Sequence, residues 1–307
     1  MSAVPSKPGV LRESDLLAHI ERRSRDLAGH PVIRVGPGDD AAVLSLGPGT
    51  LATVDHLVEG RHFERGTPVD LIARKAVARS VSDIAAMGGV PRCGLATGCL
   101  PPGYAAGDEL FDRMAHWARH WGAPLAGGDI ATSPGPLVLT VTVLGEAHGV
   151  RGAVLRSGAR PGDEVWVTGA VGSSLETGHH LTFEPRVREG WWLCDVLGDR
   201  LHAMIDVSDG VGRDAGRVAA ASGVRIEIDA GLLPLRVAGT EARRAVADGE
   251  DYELLLCVEA GAGLAQRCAE TGVALTRIGR VREGAGCVLI SENGTVDLMN
   301  AGWDHGG

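Results

Sequence analysis

Between residues 68 and 87 the chain is Ala-rich, has no interior Gly or Pro, and stops at Gly88-Gly89-Val90-Pro91; this pattern predicts one long helix carrying Asp83 in an apolar setting. Leu16, Leu17 and Ile20 at helical spacing, with Ser14 as N-cap, predict a first helix over 13–26. Short β-rich runs at 32–35, 41–46 and 51–54 surround the turn Gly36-Pro37-Gly38-Asp39-Asp40. A further helix is expected over 105–121 and a strand over 137–144, the longest clearly apolar run. Turn formers then cluster at 151–163, around Ser157-Gly158 and Arg160-Pro161-Gly162-Asp163. Beyond them, strands are expected over 164–168, 202–207, 224–228, 252–258 and 287–290, with a helix over 213–222. Strands and helices in both halves, without strict alternation, predict two α+β domains, 1–150 and 151–307.

Length supports that division, because 307 residues exceed what one hydrophobic core usually serves. The apolar share of 44% and charged share of 22% exclude a coiled coil, a fibrous repeat or long disorder. Glycine is in excess at 45 residues, often in pairs that read as turns, such as Gly88-Gly89 and Gly127-Gly128, so backbone can approach a ligand closely at many points. A net charge of -9 argues against nucleic acid as the main partner, which needs clustered Lys and Arg. An anionic substrate then needs metal ions as intermediaries. No apolar run approaches the ~20 residues of a membrane helix, and the opening segment lacks the apolar centre of a secretory signal. The six cysteines form no C-x-x-C, and reduced thiols in a cytoplasm are expected of them.

Chemistry is carried by carboxylates. Asp39 and Asp40 sit in a glycine turn, Asp55 follows a strand, Asp83 sits in the long helix, Asp129 follows Gly127-Gly128, and Asp206 and Asp209 flank Ser208. Single Asp residues at strand ends suit Mg²⁺, a hard cation that also takes phosphate oxygens. For Asp83 a structural reading competes, with Arg79 one turn earlier as its ion-pair partner. In Ile205-Asp206-Val207-Ser208-Asp209-Gly210, Asp206 and Ser208 share one face and Asp209 is placed to cap the next helix. Glu250, Asp251 and Glu253 crowd the start of a strand, and like charges so close favour an added cation or ligand donor. The basic residues are Arg apart from Lys7 and Lys75, neither in a G-K-[ST] setting, which excludes a P-loop and a protein-kinase site. Thr168-Gly169-Ala170-Val171-Gly172-Ser173 has the look of a phosphate loop or of a plain tight turn.

Seven motifs in order carry a resemblance. They are G-x-G-D-D-A-A at 36–42, D-H-L-V-E-G-R-H-F at 55–63, S-D-I-A-A-M-G-G at 82–89, G-G-D at 127–129, L-R-S-G-A-R-P-G-D at 155–163, I-D-V-S-D-G at 205–210 and G-E-D-Y-E-L at 249–254. From about Gly36 to Trp303 the chain resembles the thiamine-monophosphate kinase family, part of the superfamily that includes aminoimidazole ribonucleotide synthetase, selenophosphate synthetase and a hydrogenase maturation protein. The resemblance implies two α+β domains, with the N-terminal sheets of two subunits closing a barrel in a homodimer and ATP and Mg²⁺ lying between the domains. It implies metal ligation by Asp40, Thr53, Asp55, Asp83, Asp129, Asp206 and Asp209, the last also as the catalytic residue. It further implies ATP contacts from Gly128, Asp129, Arg156 and Ser208, and contacts to thiamine monophosphate from His62, Glu250 and Trp303. The family's S-T-D-T is Thr53-Val54-Asp55-His56 here, so the hydroxyls beside Asp55 are lost.

The implied reaction is in-line transfer of the ATP γ-phosphoryl group to thiamine monophosphate. A phosphate monoester has a second pKa of about 6 and is already anionic, so no general base is required. Two alternatives stay open at the level of sequence. One is another ATP-dependent member of the superfamily, although the chain lacks the reactive N-terminal Cys loop or C-terminal Cys tail of such relatives. The other is a nucleotide-binding dimer without turnover.

Overall fold

The structure is a computed structural model describing residues 33–35, 42–44, 49–299 and 301–302. The helix expected over 13–26, with Asp39, Asp40 and Trp303, lies outside the described residues.

The first sheet comprises β1 (Ile33–Val35), β2 (Ala42–Leu44), β3 (Thr50–Val58), β4 (Val90–Leu100), β5 (Leu125–Thr132) and β6 (Val138–Glu146). Its order is β1-β2-β3-β6-β4-β5, antiparallel except for β4 beside β5. Helices α1 (Val69–Ala86) and α2 (Gly107–His120) cover one face. Strand β6 shows why only one: Leu139, Val141 and Val143 enter the core with Val77, Val81 and Met114, while Thr140 and Thr142 point the other way. Val54 and Leu95, both opposite Thr142, leave large apolar side chains exposed on that outer face.

The second sheet comprises β7 (Glu164–Thr168), β8 (Leu201–Asp206), β9 (Arg225–Asp229), β10 (Leu254–Val258), β11 (Leu275–Arg282), β12 (Gly286–Ser291) and β13 (Gly294–Asp297), in the order β13-β12-β9-β11-β7-β10-β8. Every residue of β8 and β10 is buried, as a strand covered on both faces requires. On one face Val167, Ile205 and Ile226 pack with Val218 of α6 (Val211–Ser222). On the other, Met204 and Leu256 pack with Leu193 of α5 (Val187–Leu197) and Leu264 of α8 (Leu264–Thr271). The short helices α3 (Ser174–Thr177), α4 (His179–Thr182) and α7 (Ala242–Ala245) connect these layers.

Helix α1 belongs to both halves. It packs on β3 and β6 of the first sheet and on β8 and α5 of the second, and 13 of its 18 residues are buried, Arg74, Lys75, Ser80 and Ser82 among them. A helix enclosed on all sides carries its polar residues inward, and those polar residues become site candidates. It ends as the sequence predicts, with Gly88 in the left-handed region at φ 67°.

Several expectations are corrected. Gly127-Gly128 is no turn: both glycines and Asp129 lie inside β5. A Cβ at Gly128 would collide with the carbonyl of Ala96 in the neighbouring β4, so glycine is demanded by close strand approach. Asp55 lies within β3 rather than after it. Asp209 does not occupy the N-cap of α6; Gly210 does, at φ 108°, with the carbonyls of Val246 and Asp248 each 2.9 Å from where a Cβ would stand.

Candidate active site

Lys75, Arg79 and Asp83 recur every fourth residue along α1, with Ser82 beside them, so the helix presents one polar stripe to the cleft between the sheets. Thr53 and Asp55 of β3 face it from the first sheet: the Thr53 hydroxyl donates to Asp83, and Arg79 Nη2 lies 3.5 Å from Asp55 Oδ1. Arg79, the partner that the structural reading gave to Asp83, thus pairs with Asp55, and the Asp83 carboxylate also acts on its charge. From the second sheet, Asp206 at the end of β8 accepts 2.6 Å from the Ser82 hydroxyl. Burial opposes the Arg79 charge, but Tyr252 and the carboxylates of Asp55, Glu250 and Asp83 outweigh it and raise its pKa.

The turn after β8 supplies Ser208 and Asp209. Arg217 of α6 lies 2.5 Å from Asp209 and 2.6 Å from Asp214, whose carboxylate in turn accepts the Asp209 N–H at 3.0 Å. Arg156 does not line the cleft, although its charge acts on Asp214 and Arg217.

The three crowded acids separate. Glu253 is gripped in two-pronged fashion by Arg186, at 2.7 and 2.6 Å, and Asp251 pairs with Arg236 at 3.0 Å while accepting the Gly172 N–H at 2.9 Å. Both are buried and structural. Asp248 also accepts the Ser173 N–H, while the N–H groups of Gly169 and Val171 go to the carbonyls of Ala274 and Pro234, so four donors of the turn at 169–173 are spent within the chain, in keeping with the tight-turn reading. Only Glu250 reaches the cleft. Its φ of 64°, unusual for a non-glycine, is held by its N–H donating to Ser208 at 2.7 Å and its carbonyl accepting from the Ser174 hydroxyl at 2.6 Å. Burial would raise the Glu250 pKa, but His180 and Lys75 reverse this and bring it to about 2. Lys75, fully buried, is lowered by desolvation to about 8, with Glu250 opposing the fall. The pair is lopsided because the carboxylate keeps 18% of its side chain exposed and the ammonium none.

A cavity of about 200 Å³ results, into which Asp55, Asp83, Asp206, Ser208 and Asp209 converge with His62 and Glu250. The Val58 N–H donates 2.9 Å to His62 Nδ1, so the neutral ring carries its proton on Nε2. Arg61, Leu175, Gly249 and Tyr252 complete the wall; Arg61, Gly249 and Tyr252 fall inside two of the motifs without having been given a role, and Leu175 carried no signal. Gly128 and Asp129 are elsewhere: Asp129 lines a smaller apolar cleft between β5 and α2, with Leu110 and Met114. Val54 and His56 point to the opposite face from Thr53 and Asp55, and His56 bonds Thr140 at 2.7 Å, so the altered positions beside Asp55 face away from the cavity.

The donor set, carboxylates and hydroxyls without a thiolate, fits a hard oxygen-seeking cation such as Mg²⁺. Among the described residues no three His, Cys, Asp or Glu side chains form a ready-made metal cluster. Mg²⁺ commonly uses one or two carboxylates and completes its shell with water and nucleotide phosphates. No described helix is long and apolar enough to cross a membrane.

Residues 38–147 match the N-terminal domain of AIR synthase related proteins and residues 160–292 their C-terminal domain. The thiamine-monophosphate kinase of Rhodopirellula baltica is 36% identical, covering 88% of this chain and 89% of its own. That of Bacillus subtilis is 34% identical, covering 95% and 99%. The structure of AaThiL complexed with AMPPCP and TMP superposes with a TM-score of 0.81 at 27% identity, over 99% of this chain and 100% of that one. With both domains matched and such identity over most of its length, the chain belongs to the thiamine-monophosphate kinase family of AIR synthase related proteins.

Proposed function

We propose that this chain transfers the γ-phosphoryl group of ATP to the phosphate of thiamine monophosphate, giving thiamine diphosphate and ADP. The observation that carries this reading is the convergence of carboxylates from both sheets, across α1, on one cavity that also holds Glu250 as a fixed anion. Thiamine carries a cationic ring, and Glu250 beside His62 offers it a negative wall, with Trp303 assigned to the same substrate. Ser208, Arg156 and Gly128 are assigned to ATP. Asp40, Thr53, Asp55, Asp83, Asp129, Asp206 and Asp209 are assigned to Mg²⁺, which when bound offsets repulsion between the two polyanions and stabilises charge on the transferred group. The chain's own part is to bind and orient: Arg79 and Arg217 limit carboxylate repulsion, and the acceptor phosphate needs no base.

The junction between the two domains is placed near residue 150. The outer face of the first sheet, with Ala52, Val54, Leu95 and Leu144, supports a homodimer in which two such sheets close a barrel. Asp129, on the edge strand of that sheet, would then serve the cavity of the other copy, and the unpaired thiols suit a cytoplasmic setting. The reading is tested by incubating the protein with ATP, Mg²⁺ and thiamine monophosphate. Thiamine diphosphate from the wild type but not from Asp209→Ala is expected; ADP without thiamine diphosphate would point to another acceptor.

A further inference from the structure

Lys75 is the only lysine among the described residues, in a chain whose other described basic side chains are Arg, and it is wholly buried. Burying an ammonium is costly unless its donors are met. Lys75 donates to Glu250 Oε2 and to the His62 carbonyl, each at 2.6 Å, and His180 Nδ1 stands 3.1 Å from the same nitrogen. His180 Nδ1 is also 3.3 Å from Glu250 Oε2, so this one nitrogen accepts from the ammonium or donates to the carboxylate according to its tautomer. A compact three-donor point charge fits this arrangement, and the planar fork of Arg does not.

The acceptors lie on separate pieces of chain. His62 follows β3 in the first half, Glu250 precedes β10 in the second, and His180 is on α4. Two of them, His62 and Glu250, also present side chains to the cavity. None of the three contacts ties Lys75 to the apolar core around it.

We infer that Lys75 is a positioning residue for the phosphate acceptor: from α1 it fixes His62 and Glu250 side by side at a set separation on the cavity wall, and so sets recognition of the acceptor rather than of ATP. This rests on the assignment of His62 and Glu250 to thiamine monophosphate given above.

The test is steady-state kinetics of the full chain with each substrate varied, on wild type, Lys75→Met, Lys75→Arg, Glu250→Gln and the double variant Lys75→Met/Glu250→Gln. Lys75→Met is expected to raise KM for thiamine monophosphate about tenfold, equivalent to about 1.4 kcal/mol, with kcat and KM for ATP within twofold of wild type. Lys75→Arg is expected to shift the same constant despite keeping the charge. In the Glu250→Gln background, Lys75→Met should add distinctly less than it does in wild type, because the share carried by the Glu250 carboxylate is already lost and only the share carried by His62 remains. Should Lys75→Met fail to fold, His180→Ala, at a more exposed position, carries the same prediction at about threefold. An unchanged KM for thiamine monophosphate, a fall confined to kcat, or additive effects in the double variant would overturn the inference while leaving the proposed reaction intact. A wild-type chain that makes no thiamine diphosphate would instead overturn the reaction, and this inference with it.

Discussion

Glu250, Asp251 and Glu253 stand within four positions of one another, yet each meets a different cation: Lys75, Arg236 and Arg186. Their crowding is plain in the sequence and its resolution is not, because Lys75 is 175 residues from Glu250 and Arg186 is 67 from Glu253. Pairings at that range follow from chain topology, which no local pattern encodes. The two buried acids are structural, and Glu253→Gln is expected to lower unfolding free energy in urea by about 3–5 kcal/mol, the usual cost of breaking a buried pair from one side. Glu250 sets a pH dependence. Its pKa falls from 4.5 unfolded to about 2 folded, so its contribution is fully present above pH 4.5 and is lost as pH drops towards 2. On the order of a few kcal/mol is at stake. Thermal melts between pH 5 and 2 should therefore fall more steeply for wild type than for Glu250→Gln, and parallel curves would show that this carboxylate is not held as an anion.

Among the elements, α1 decides the site. The unbroken Ala-rich stretch places it at 68–87 against Val69–Ala86 observed, and Asp83, set among apolar residues, marks its polar stripe. Strand β5 was hidden by a residue its packing demands, since Gly127-Gly128 reads as a turn but Gly128 sits where the Ala96 carbonyl of β4 approaches. The same close packing joins α1 to α5: a Cβ at Gly190 would stand 2.6 Å from the Ala85 carbonyl. Gly190→Ala should push the helices apart and cost about 1–3 kcal/mol. Because α1 carries Arg79, Ser82 and Asp83, activity should fall with stability. A Gly190→Ala variant as stable as wild type would contradict this account of the contact.

At the scale of the whole molecule, one chain gathers Asp55, Asp83, Asp206 and Asp209 in one cavity and leaves Asp129 in another. If two copies complete each site, mixing Asp129→Ala with Asp209→Ala under subunit exchange should restore activity towards a quarter of wild type, since half the dimers are hybrids and each holds one site free of both changes. No recovery despite proven exchange would place Asp129 outside the partner's site. In the proposed reaction the phosphoryl group passes straight from one phosphate to the other, and the fate of a label reports it. With ATP labelled at the γ-phosphorus, thiamine monophosphate and Mg²⁺, one labelled terminal phosphate of thiamine diphosphate is expected for each ADP formed. Label appearing as inorganic phosphate, with thiamine monophosphate unconsumed, would contradict it.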